Sequence, residues 1–236
     1  MVALYHGGNG IIATHGGSYR MLGLSLSTLI SRIIVLLTAF SVHEFAHAWT
    51  ADYFGDDTPR YNGRLTLNPL AHLDPMGSLM LIIAGFGWAK PVPVSPYALR
   101  RHSESAMMWV SLAGPLSNFL MAILGAIPFR LGLFTVADAF PTGNGLLPTL
   151  PQFLYHFITI NLILMLFNLI PLAPLDGEKI ADFFFPPAWS NFLARIRPYG
   201  PMILLLLFIA GPYLGFDILG WILGPPLNFL FGLLVG

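Results

Sequence analysis

Cysteine is absent from this chain, and charged side chains make up only 9% of it. Without cysteine there are no disulfides and no thiolates, so any transition-metal site has to be built from His, Asp or Glu. So few charges cannot cover a water-facing surface, since soluble domains carry about 25%. The acids and bases also balance, 11 against 11. That leaves no basic field for nucleic acid and no acidic tail, and a nucleic-acid partner is excluded. What fills the 236 residues instead is apolar: 56% hydrophobic, with a mean hydropathy of +0.72. This is the composition of an integral membrane protein, with the lipid bilayer as its solvent.

Taken in order, residues 1–20 are Gly-rich with a short apolar patch. They lack the charged start, longer apolar core and small-residue cleavage site of a secretory signal, so a flexible N-terminal arm is expected, with His6 and His15 incidental to it. The first apolar run spans 21–50. Arg32 and Asp52, twenty residues apart, mark about 30 Å of helix, the thickness of the hydrocarbon layer. The polar stretch that follows carries Asn62-Gly63 between Arg60-Tyr61 and Arg64-Leu65-Thr66-Leu67, a β-hairpin signal. Residues 76–88 are apolar but too few to span. The alternate prolines of Pro91-Val92-Pro93-Val94-Ser95-Pro96 exclude a helix and predict an extended edge.

Further spans are predicted at 105–128, 152–170 and 200–223. In the second, Ser111, Gly114, Asn118, Ala122 and Gly125 form one stripe of small or short residues that permits close helix approach. Asn118 and Asn161 read as bridges between helices. Residues 224–236, opening on Pro225-Pro226, read as interfacial or packed on the bundle. The fold class is therefore all-α and polytopic: about four full spans, a short re-entrant segment, and a small β-hairpin and extended region near the cytoplasmic face. It forms a single membrane-embedded domain over 1–236.

The basic residues give the orientation. If 76–88 dips without crossing, loops 53–105 and 171–199 share a side and hold eight Lys or Arg, against two (Arg20 and Arg130) on the other, beyond the interfacial Arg32. The basic side is then cytoplasmic.

The chemistry is concentrated at the end of the first run, in His43-Glu44-Phe45-Ala46-His47. On a helix the two histidines are one turn apart on one side. They can share one tetrahedral Zn²⁺, with the Glu between them in reach of a water on the ion. Ionisable groups inside an apolar helix are costly and mark function. A third protein ligand is needed if one position stays open. Asp176 stands out among the acids, because Pro171 and Pro174 break the preceding helix and Gly177 lets backbone pack closely. A solvated Asp at a helix C-terminal turn is the plain alternative, and Glu104 and Asp74 are weaker rivals in loop-like surroundings. Of the other histidines, His72 reads as a loop-fixing hydrogen bonder, His102 as part of a basic interfacial loop, and His156 falls on the far side of the membrane from Asp176.

These residues together resemble a known family. His43-Glu44-x-x-His47 in an apolar helix, followed by Asn168-x-x-Pro171 and Leu175-Asp176-Gly177, is similar to the site-2 protease family of intramembrane zinc metalloproteases. The stretches 67–77 and 87–93 resemble its compact branch without a PDZ domain, and Ala113-Gly114-Pro115-Leu116-Ser117-Asn118 matches a family pattern between the two metal motifs. The resemblance covers roughly residues 30–180. It implies one Zn²⁺ per chain held by His43, His47 and Asp176, with Glu44 as general base and Asn168 positioning substrate or oxyanion. It also implies a transmembrane protein or peptide as substrate and a prokaryotic cell membrane as location, with the site near the cytoplasmic face. Glu178 departs from the pattern, since many members carry a small residue after Asp-Gly. The rival reading from another class is a zinc transporter or sensor without hydrolysis. Transport favours ionisable groups at several depths, whereas here they cluster near one face.

Overall fold

A computed structural model describes residues 20–21, 24–77, 87–140, 145–213 and 217–236. Four of its helices are long and apolar enough to cross a membrane: α1 (Leu26–Tyr53), and three introduced below at Ala106–Arg130, Leu150–Asn168 and Ile218–Val235. The expected N-terminal arm lies, apart from Arg20, outside the described residues. Strand structure in the described residues amounts to a two-residue antiparallel pairing of Arg20–Met21 with Leu24–Ser25 and an isolated bridge between Leu73 and Ala89.

Helix α1 begins at a Ser25 cap, whose hydroxyl accepts from the Thr28 amide at 3.2 Å, satisfying one of the free N–H groups of the first turn. It is followed by α2 (Thr58–Tyr61), α3 (Pro69–His72) and α4 (Pro96–His102). The hairpin expected around Asn62-Gly63 is not there. Thr58-Pro59 starts a helical turn, and Gly63 ends it at φ +65. Asn-Gly serves here as a helix stop in the left-handed region, not as a hairpin turn.

Residues 78–86, the body of the expected re-entrant segment, lie outside the described residues. Its flanks are side by side. The Lys90 amide donates to His72 O at 2.8 Å, and a Cβ on Gly77 would lie 3.0 Å from the Trp88 carbonyl carbon. Residues 91–95 are neither helix nor strand, as the prolines require. They are fastened to the end of α1 by the Ser95 amide, which donates to Asp56 Oδ2 at 2.6 Å.

Helices α5 (Ala106–Arg130) and α6 (Leu150–Asn168) complete the centre of the bundle. On α5 the stripe Ser111, Gly114, Asn118, Ala122 and Gly125 is buried throughout. Lipid tails are as apolar as these helices, so close packing and interhelical hydrogen bonds hold the bundle together, not expulsion of water. Val35, Leu36, Ala39 and Phe40 of α1 meet Ile160 and Leu164 of α6, while Ala122, Ala126 and Phe129 of α5 meet Ile158, Leu162 and Met165. Gln152 bonded to Thr28 and His156 bonded to Ser31 show α1 and α6 running parallel.

After α6 come α7 (Asp176–Phe184), α8 (Pro187–Ile196), α9 (Gly200–Tyr213) and α10 (Ile218–Val235). The fourth span differs from expectation. It is α10, not 200–223. The 14 residues of α9 extend about 21 Å, short of the hydrocarbon thickness. Asp217 then caps a new helix, its Oδ1 accepting from the Gly220 amide at 2.8 Å. Pro225 and Pro226 thereby fall inside α10, where membrane helices tolerate proline because neighbours re-satisfy the freed backbone groups. The supposed tail is the second half of this span, with Leu227, Leu230 and Phe231 packed on α5 and α6. Its end lies beside Arg130, which donates to Leu233 O.

Candidate metal centre

His43 and His47 are both buried on the last turns of α1, and their Nε2 atoms are 3.0 Å apart. Asp176 opens α7 after the chain turns at Pro171 and Pro174, with a cis bond before Pro174. Gly177 makes that turn possible, because any Cβ there would clash with the carbonyls of Leu169 and Ile170. The turn brings Asp176 Oδ2 to 3.2 Å from His43 Nε2 and 3.3 Å from His47 Nε2.

The proton positions follow from the partners. Asn161 Nδ2 donates to the backbone oxygen of Phe157 at 2.8 Å, so Asn161 Oδ1 faces Asn118 and accepts from its Nδ2 at 2.9 Å. Asn118 then presents Oδ1 to His43, whose Nδ1–H donates to it at 2.6 Å. His47 Nδ1–H donates to Val110 O, also at 2.6 Å. Both Nε2 atoms therefore point their lone pairs at each other and at a carboxylate oxygen. A cation among three acceptors so close would satisfy all of them. Tetrahedral Zn²⁺ with ligands at about 2.0–2.1 Å separates its ligand atoms by roughly 3.3 Å, and the observed 3.0, 3.2 and 3.3 Å triangle fits. Among the described residues, His43, His47 and Asp176 are the group of donors that could hold a metal ion.

A cavity of about 290 Å³ opens on this triangle, lined also by Phe40, Glu44, Trp88, Met107, Asn168 and Lys179. Glu44 Oε2 accepts from the Val92 amide at 3.0 Å, so the proline-flanked segment lies over the site. Asn168 returns its Nδ2 to Leu164 O at 3.0 Å and borders the cavity without touching the triangle.

The chain from residue 31 to residue 210 matches the family model described as Peptidase family M50. It belongs to peptidase family M50, the site-2 protease family. Within the M50 family it is similar to "Putative zinc metalloprotease YwhC" of Bacillus subtilis, 41% identical over 80% of this chain and 85% of that protein. It is also similar to two proteins named "Putative zinc metalloprotease Rip2". That of Mycolicibacterium smegmatis is 33% identical over 73% of this chain and 64% of its own length, and that of Mycobacterium tuberculosis is 31% identical over 80% and 68%. No solved structure gives a significant match.

In this M50 chain two participants escape local sequence reasoning. Gly114 sits directly under the imidazoles: a Cβ there would come within 2.5 Å of His47 Cε1 and 2.6 Å of His43 Cε1. Asn118 does bridge helices as expected, but it also orients His43. The rival acids stay away. Asp74 accepts from the Gly77 amide at 2.8 Å, and Glu104 is exposed. His72 does fix its loop, bonding Thr66 O at 2.7 Å. Glu178 is buried and takes its own partner, Arg197 Nε at 2.5 Å. The family departure thus tethers the segment after α8 and leaves the metal group alone.

Proposed function

We propose that this chain is a zinc-dependent endopeptidase that hydrolyses a peptide bond in or near the transmembrane segment of a membrane-protein substrate. One observation carries the reading: the His43, His47 and Asp176 donor triangle with Glu44 on the same helix and a cavity open before it. His43, His47 and Asp176 would hold the zinc, which when bound acidifies water and polarises the scissile carbonyl. Glu44 lies one residue from His43, so its side chain is turned about 100° around the helix from the ligand direction. Its carboxylate takes the proton of the attacking water and returns it to the leaving amine nitrogen. The Val92 amide holds that carboxylate in place. Asn168, at the cavity wall, is placed to donate towards the developing oxyanion once it releases Leu164 O.

A helical substrate hides its backbone and has to unwind before attack. Pro91, Val92 and Val94 border the cavity, and their segment offers an extended edge for the unwound peptide. The basic loops make the face nearest the site cytoplasmic. His47 is five residues before Asp52, about 7 Å below that surface, a depth water can reach.

The test is metal analysis of the purified full chain, followed by digestion of a single-span peptide with and without chelator. One zinc per chain and chelator-sensitive cleavage are expected. Bound zinc with no cleavage of any single-span peptide would favour a carrier or sensor.

A further inference from the structure

Arg32 is half-buried, and two of its three guanidinium nitrogens are closed to water and without a partner among the described residues. It lies six residues past the start of α1, about 9 Å along the axis. Its Nε and Nη1 are buried and make no hydrogen bond among the described residues. Arginine stays charged in proteins, and buried charges are ordinarily paired.

The sequence holds no acid for it. No Asp or Glu precedes Glu44, which lies twelve residues deeper on the same helix, about 18 Å away, and accepts from Val92. On Arg32's side of the membrane the loops carry Asp138, whose carboxylate accepts from the Thr135 amide and hydroxyl at 2.7 and 2.8 Å. Asp217 caps α10 near Phe167 and Leu175, beside the other face.

Helix α6 meets this part of α1 with a polar stripe. Gln152 Nε2 donates to Thr28 Oγ1 at 3.2 Å, and His156 Nδ1 hydrogen-bonds Ser31 Oγ at 3.0 Å. Tyr155 and His156 are within electrostatic reach of Arg32. Further atoms of the stripe, Gln152 Oε1 and Thr159 Oγ1, are buried with no partner among the described residues. The α1–α6 seam thus holds a charged double donor, an amide oxygen and a hydroxyl, all unmet.

We propose that this seam binds the phosphate of a phospholipid from the leaflet opposite the metal centre. The chemistry required is an anion, and the oxygens of a phosphate accept charge-assisted N–H bonds from a guanidinium. Depth selects the lipid over free phosphate. Arg32 lies about 30 Å of helix from Asp52, at the boundary between hydrocarbon and headgroups. Next to it Ile33 and Ile34 are 36% and 44% exposed on the outside of α1, a surface for acyl chains. Headgroup hydroxyls or an ammonium would meet the unpaired acceptors. Such a lipid clamps α1 to α6 some 16 Å from His43 along α1.

The experiment is native mass spectrometry of the delipidated full chain, titrated with phosphatidylglycerol, with diacylglycerol of the same chains, or with inorganic phosphate, alongside Tm measurements. Phosphatidylglycerol is expected to bind one tight equivalent and raise Tm, and diacylglycerol to do neither. Arg32→Gln should weaken phosphatidylglycerol binding about fivefold or more, by the usual contribution of one basic residue at a membrane surface. Arg32→Lys keeps the charge without the guanidinium and should fall between the two. Equal binding of diacylglycerol, or unchanged phosphatidylglycerol binding in Arg32→Gln, overturns the site. An equal Tm rise from inorganic phosphate overturns the lipid as its source. If Arg32→Gln does not fold, the wild-type contrast between the two lipids and the Arg32→Lys titration decide.

Discussion

His43 donates from Nδ1 to Asn118 Oδ1 at 2.6 Å, and that bond is the end of a chain anchored on the backbone oxygen of Phe157. The chain fixes which imidazole nitrogen is bare and where it points. Asn118→Ala should therefore lower zinc affinity by about 10–100-fold, the usual cost of losing a partner that orients a ligand. Chelator competition on the purified protein measures it. Asn118→Asp keeps an acceptor oxygen and should recover most of the loss. Wild-type affinity in Asn118→Ala would reduce the bond to helix packing alone.

Gly114 gives a second test on the same helix. The Cβ of Gly114→Ala would press on both imidazoles, at 2.5 Å from His47 Cε1 and 2.6 Å from His43 Cε1, closer than real Cβ contacts come. Both rings would have to move, and zinc per chain should drop sharply. Gly125→Ala is the matched control, since its Cβ would meet Phe157 Cδ1 at 2.8 Å, well away from the site. It should cost about 1–3 kcal/mol of stability by overpacking while keeping its zinc. Equal zinc loss in both variants would point to general loosening of the bundle.

Much of this was legible because the signals are local. Hydropathy picks out α1, α5 and α6, and a four-residue spacing puts His43 and His47 on one side of a helix whatever surrounds it. Local signals with two meanings misled. Asn62-Gly63 suits a hairpin turn and a helix stop alike, and Thr58-Pro59 before it decides for the helix. Pro225-Pro226 reads as a breaker, yet Asp217 caps a helix that runs through both. Non-local relations stayed hidden: the partner of His43 is 75 residues away in sequence, and a small residue such as Gly114 looks the same whether it admits a helix or two imidazoles.

Topology can be tested directly because the chain has no cysteine to remove. Arg60 and Arg100 are exposed, as is Leu133 past the end of α5. With Gly77 beside Trp88 and His72 beside Lys90, Arg60→Cys and Arg100→Cys should both react with an impermeant maleimide only after the cytoplasm is opened. Leu133→Cys should react in intact cells. Labelling of Arg60→Cys and Arg100→Cys from opposite sides would mean that 76–88 crosses, and the cytoplasmic assignment of the site would go with it.

Glu44 separates an enzyme from a metal carrier. Its Oε2 accepts from Val92, and its carboxylate is not among the three donors that converge. Glu44→Gln keeps the size and the amide acceptor for Val92 but cannot take a proton. It should retain zinc at the wild-type ratio and lose peptide cleavage by roughly 10²–10⁴-fold, the usual contribution of a general base. Asp176→Asn should behave differently, because a neutral amide is a poorer zinc ligand than a carboxylate. It should lose metal as well as activity, and added zinc should restore it in part. The pair has to be read together, with zinc content and cleavage measured on the same preparations. If Glu44→Gln cleaves at the wild-type rate, hydrolysis does not run through this carboxylate and the endopeptidase mechanism fails. If it loses its zinc, Glu44 belongs to the metal-holding group and its assignment as the base is wrong.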